Sequence, residues 1–76
     1  MIYRVYVEFK SGILDPEAEA IKRTINQLGI KSLKKISKGK FFDIEFSEEN
    51  KYSDIEKISK DLLSNPIIEN FKIVKK

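Results

Sequence analysis

Lys38-Gly39-Lys40 is the run in this chain best suited to chemistry, because a glycine backbone with an ammonium group on either side can grip a phosphate. A plain hairpin turn accounts better for the same three residues. The chain has no His and no Cys, which removes imidazole and thiolate nucleophiles, thiolate zinc sites and disulfides. Acid–base work would therefore fall to carboxylates, Lys or Tyr. The Asp and Glu residues fall mostly on wet helix faces, in first helical turns or on an outward strand face, where solvation or capping is their ordinary role. There is no glycine-rich phosphate loop and no carboxylate cluster at metal-ligand spacing. The residues by themselves describe a small binding or interaction domain, not a catalyst acting alone.

Any such residues must be held by a single domain, 1–76. Seventy-six residues with 41% hydrophobic content build one modest core, and a domain of this size is marginal without help. With metals and disulfides unsupported, association with other chains is the expected extra stabiliser. The net charge of +3 rests on 36% charged residues with both signs interspersed, which describes a mixed soluble surface more than a nucleic-acid footprint. The N-terminus carries Arg4, Glu8 and Lys10, and no long uncharged apolar run exists. Neither a signal peptide nor a spanning helix is expected, so the reading is soluble and intracellular.

The elements follow from periodicity. Tyr3, Val5, Val7 and Phe9 alternate with Arg4, Tyr6, Glu8 and Lys10, the pattern of a half-buried strand. Asp15-Pro16 opens a helix with a capping carboxylate and a proline at the first turn. Ala18, Ile21, Ile25 and Leu28 give it one apolar stripe, and Gly29 closes it. Leu33 and Ile36 are three apart, so a ragged second strand is expected around 33–38, turning at a Gly39-Lys40 hairpin into a third strand with Phe42, Ile44 and Phe46. The polar run 47–54 leads to a second helix starting at Tyr52 or Ser53, with Ile55, Ile58, Leu62 and Leu63 inward. Asn65-Pro66 ends it, and Phe71 and Ile73 mark a last strand.

The order βαββαβ predicts an α+β, ferredoxin-like fold: a four-stranded antiparallel sheet with two helices on one face, the first and third strands central. The other sheet face would carry Ile2, Tyr6, Phe41 and Val74 among charges. It is either an ordinary surface or, with an edge strand, a place where another subunit pairs. RNA-binding domains of this topology stack bases on central-strand aromatics. Here Tyr6 and Phe41 lie among Glu8, Asp43 and Glu45, which repel phosphates. A stand-alone small-molecule-binding regulatory domain of the same topology stays open as an alternative.

Three blocks carry a resemblance. Residues 10–23, KSGILDPEAEAIKR with its exit at Gly29, the Gly39-Lys40 pair, and residues 62–69, LLSNPIIE, are similar in order and spacing to the PurS family. That family is the small subunit of phosphoribosylformylglycinamidine synthase, which makes an amidine from formylglycinamide ribonucleotide with glutamine and ATP in de novo purine synthesis. The resemblance implies a cytoplasmic, non-catalytic accessory subunit of an ATP-dependent ligase complex. It implies a homodimer or dimer of dimers that bridges the glutaminase and the large synthetase subunits and assists ammonia transfer. It further implies no cofactor in this subunit (ATP and Mg belong to the synthetase partner) and neither nucleic acid nor membrane as partner. By the same carry-over, the partner-interface candidates are Gly12, Asp15, Pro16, Arg23, Gly39, Lys40, Asn65, Pro66 and Glu69. Turn and capping roles also account for the Gly, Asp and Pro positions; Arg23 and Lys40 have no such local reason, although a solvated helix face accounts equally well for Arg23.

Overall fold

The computed structural model describes residues 1–48 and 51–76. The middle of the predicted polar connection, Glu49 and Asn50, lies outside the described residues. Five elements follow in order: β1 (Ile2–Phe9), α1 (Pro16–Gln27), β2 (Gly39–Glu45), α2 (Tyr52–Ile58) and β3 (Glu69–Lys75). A π-helical turn over Ser59–Leu63 extends α2. Ser59 Oγ donates to the Ile55 carbonyl and Ser64 Oγ to the Ser59 carbonyl, so two hydroxyls serve the widened turn before Asn65-Pro66 stops it.

The sheet has three strands in the order β2-β1-β3, all antiparallel. The register Tyr3↔Ile44, Val5↔Phe42 and Val7↔Lys40 on one side, with Val5↔Ile73 and Val7↔Phe71 on the other, puts the alternating apolar residues on one face. Tyr3, Val5 and Val7 form the buried centre with Ile55 of α2, and Phe42, Ile44, Phe46, Leu63, Phe71 and Ile73 pack around it.

Four expectations are corrected. The sheet is three-stranded, not four-stranded: residues 31–38 belong to no strand, so β2 is an edge and β1 alone is central. Gly39-Lys40 is not a hairpin; the two residues open β2, paired with Glu8 and Val7. The glycine is needed for another reason: a Cβ at Gly39 would lie 2.7 Å from the Val7 carbonyl oxygen. Finally, α1 does not cover the sheet. Ala18 is buried, but Ile25 is half-buried, Ile21 is 39% exposed and Leu28 72% exposed. Likewise Leu62, expected inward on the second helix, is exposed.

The physical cause is the path of the chain. A fourth strand from this segment would require a reversal before β2, and residues 31–38 contain no turn. They run straight into Gly39. The result is elongated, 52 × 24 × 14 Å with a radius of gyration of 16.1 Å, against about 11 Å for a compact domain of this length.

Candidate partner-binding site

The start of α1 is built locally. Gly12 takes φ +86° in the turn after β1, a conformation that suits glycine. Asp15 is extended and caps the helix: Oδ1 accepts from the Glu17 and Ala18 amides at 3.0 and 3.3 Å. Its other oxygen, Oδ2, is buried and is left to the Lys38 ammonium at 3.3 Å, which also lies 3.4 Å from Glu17. Burial pushes the Asp15 carboxyl up, but the two helix amides and Lys38 together outweigh it and hold it below its ordinary range. Lys38 is raised in turn, chiefly by its bond to Asp15. At the far end Gly29, at φ +92°, closes α1: its amide donates to the Asn26 carbonyl and that of Ile30 to Ile25. Lys31 Nζ also donates to the Asn26 carbonyl at 2.9 Å. The arm 31–38 is thus tied to α1 at both ends.

The turn before β3 is equally self-contained. Asn65 Oδ1 accepts from the Ile67 amide, and the Asn65 carbonyl accepts from Ile68 and Glu69. Glu69 Oε1 accepts from the Asn65 amide at 2.7 Å. The Ile68 carbonyl then takes the Lys10 amide at 2.8 Å, fastening this turn to the end of β1.

These bonds gather the predicted residues at one end of the sheet. Gly12, Asp15 and Lys38 line a cleft of about 330 Å³. Gly39, Lys40 and Glu69 line a smaller one of about 110 Å³, and the two share Glu8, Phe9 and Lys38. Pro16 stands at the first position of α1, and Asn65-Pro66 lead to Glu69. Arg23 lies apart, in a third cleft between α1 and the arm with Lys22, Asn26, Ile30, Lys31 and Leu33. The exposed apolar set Ile13, Leu14, Ile21, Leu28 and Ile30 is absent from the sequence-derived candidates. Nothing in the sequence marks it, because Ile21 and Leu28 fit the apolar stripe of α1 as buried residues would.

On the outward sheet face Arg4 makes two bonds to Asp43, at 2.8 and 2.9 Å, and its guanidinium lies 4.1 Å from the centre of the Phe41 ring. The bond from Arg4 holds the Asp43 carboxyl below its ordinary range. These charges satisfy one another and form no acid–base pair. Among the described residues no group of three or more Asp or Glu side chains could hold a metal ion, and no helix is long and apolar enough to cross a membrane.

The arrangement offers apolar and charged surface around a small, firmly bonded sheet end, which is the equipment of an interaction domain. Comparison with known proteins makes the assignment specific. The PurS family model, phosphoribosylformylglycinamidine (FGAM) synthase, matches residues 2–76. The chain is 40% identical over 77 residues to the phosphoribosylformylglycinamidine synthase subunit PurS of Archaeoglobus fulgidus, covering 97% of this chain and 96% of that one. The crystal structure of Methanocaldococcus jannaschii PurS, one of the subunits of formylglycinamide ribonucleotide amidotransferase in the purine biosynthetic pathway, aligns with a TM-score of 0.79 at 34% identity, over 96% of this chain and 92% of that one. A chain of the Thermotoga maritima PurLQS structure aligns at 0.77 and 27% identity, over 100% and 99%. The chain belongs to the PurS family.

Proposed function

We propose that this chain is the non-catalytic small subunit of phosphoribosylformylglycinamidine synthase, joining the glutaminase and synthetase subunits and assisting ammonia transfer between them. It works in the cytoplasm and holds no cofactor of its own; ATP and Mg belong to the synthetase. The observation that carries this reading is the uncovered α1–arm unit of a PurS-family domain matched over residues 2–76. Ile21, Leu28 and Ile30 are exposed on it, and such a surface on so small a domain is what a permanent partner would cover.

The first partner is a second copy. The free edge of β2 has unpaired backbone groups, and the arm, which enters β2 without a turn, can supply a matching strand. Because the arm runs straight into β2, two copies related by a two-fold axis near Lys38-Gly39 can lay each arm along the other's β2. Each sheet then gains its fourth strand. The same exchange brings each α1 over the other copy's sheet. Light scattering after size exclusion should give at least twice the 8.9 kDa chain mass. The function itself is tested by reconstitution: glutamine-dependent amidine formation by the synthetase and glutaminase should require this chain, and full activity without it would sink the proposal.

A further inference from the structure

We infer that the outer face of the sheet is where one strand-exchanged pair stacks on another copy of itself, about a two-fold axis running roughly along β1. The inference rests on the strand exchange proposed above and adds a second surface, its occupant and its geometry.

The register fixes what this face presents. Ile2, Arg4 and Tyr6 of β1 point outward, with Asp43 and Phe41 directly beside Arg4 and Tyr6 on β2, and Val74 and Lys72 beside them on β3. Tyr6, Phe41 and Val74 are 43%, 53% and 37% exposed. The middle of the face is already ordered. Arg4 donates two bonds to Asp43, its guanidinium lies 4.1 Å from the centre of the Phe41 ring, and the Phe41 and Tyr6 ring centres are 6.1 Å apart. Side chains held in this way lose little freedom when covered, and Arg4 carries its counter-charge with it.

The remaining charge is divided between the two sides of β1. Asp43 and Glu45 stand on the β2 side. Lys72 stands on the β3 side, followed by Lys76, whose ammonium lies 4.0 Å from Asp43. Glu45 and Lys72 form no ion pair with the described residues. A two-fold axis along β1 turns one copy over so that its β2 lies above the β3 of the other. The acidic side of each copy then meets the basic side of its partner, and Ile2 and Tyr6 meet their own counterparts in the middle. An axis across the strands would set β2 on β2 and leave the acids without cations. Charge complementarity selects the first arrangement, which is also the aligned packing common between sheets. Glu8, the acid on β1, stands at the rim of the face and is exposed.

Area decides how many copies take part. Three strands of this length present a face of only about 350 Å², against about 800 Å² per partner in a stable interface. Two single chains would hardly stay together through it. Strand exchange about an axis perpendicular to the sheet leaves both outer faces on the same side, so two exchanged pairs stack through twice that area.

The test is light scattering after size exclusion, over a concentration series. Wild type should reach four times the 8.9 kDa chain mass. Tyr6→Glu should stop at two copies with unchanged circular dichroism. Glu45→Lys and Lys72→Glu should each raise the concentration needed for four copies roughly tenfold or more. The two together should restore it, because each copy offers both sides of the face to the other. A wild type that stops at two copies would overturn the inference and leave the exchange intact, as would four copies that survive Tyr6→Glu and both charge reversals. A combined variant no better than either reversal would overturn the axis assigned here. A monomeric wild type would overturn both the inference and the exchange.

Discussion

Lys38 Nζ lies 3.3 Å from Asp15 Oδ2, so the residue that caps α1 also anchors the end of the arm that returns alongside it. One carboxylate thereby fixes the start of the helix and the point where the arm enters the sheet. Asp15 and Asp43 are both held below their ordinary pKa. A carboxyl lowered in the folded state adds stability that is complete above its unfolded value, about 4, and disappears as pH falls through its folded value. The urea midpoint should therefore decline as pH is taken from about 5 to about 3. Asp15→Asn and Asp43→Asn should each flatten that decline, and an unchanged acid slope in both variants would contradict the pairings. Lys38, raised by Asp15, behaves oppositely: its contribution is complete below about 10.4 and is lost as pH rises through its folded value.

Two glycines should respond to alanine for different reasons. At Gly39 the new methyl meets the Val7 carbonyl oxygen at 2.7 Å, and backbone cannot step aside without parting β2 from β1. Gly39→Ala should cost about 1–3 kcal/mol in urea unfolding, with lowered hydrogen-exchange protection at the Glu8 end of the β1–β2 ladder. At Gly12 nothing lies within 4 Å, but φ is +86°, so Gly12→Ala should cost about 1–2 kcal/mol and leave the ladder protection unchanged. Similar protection losses in both variants would remove the distinction.

The same contrast explains what was legible in the sequence. Asp15-Pro16 and Gly29 announce α1 because caps are satisfied by neighbours in the chain, and alternation in Tyr3–Phe9 and Phe42–Phe46 announces strands because one face is buried. Gly39 reads as a turn residue because its contact is with Val7, far away in sequence, and nothing local separates a close approach from a turn. The segment 33–38 reads as a strand of the same sheet for a related reason. Its apolar spacing is local, but pairing with β2 would need a chain reversal, and whether Gly39-Lys40 turns or opens a strand is decided by the distant partners Glu8 and Val7. The gathering of Gly12, Asp15, Gly39, Lys40 and Glu69 at one sheet end was likewise invisible before the register of β2 and β3 on β1 was known.

Apolar truncations should separate the core from the uncovered helix. Ile55 is fully buried against Tyr3, Val5 and Val7, so Ile55→Ala should cost about 2–5 kcal/mol and leave much of so small a domain unfolded at 37 °C. Ile21→Glu with Leu28→Glu changes two exposed residues of the helix that lies off the sheet, 39% and 72% exposed. That double variant should keep its helix content while its mass by light scattering falls to a monomer. Retention of the wild-type mass would show that α1 is not an oligomer contact.

Lys40 tests whether the gathered sheet end meets a partner. Its side chain shares a face with Val7 and Phe42, its ammonium lies 5.8 Å from the Phe42 ring centre, and the residue is exposed. That distance is near the outer limit of a cation–π contact, and an exposed one adds little to folding. Lys40→Ala should therefore leave the melting temperature within about 2 °C of wild type. If the cleft that Lys40 lines with Gly39 and Glu69 is where a synthetase or glutaminase subunit docks, assembly should weaken roughly tenfold, since one lost interfacial contact of hot-spot strength has that effect. Titrating the variant into the two partner subunits and following glutamine-dependent activity measures this directly. A variant that restores activity at the wild-type concentration would place the partners elsewhere on the surface.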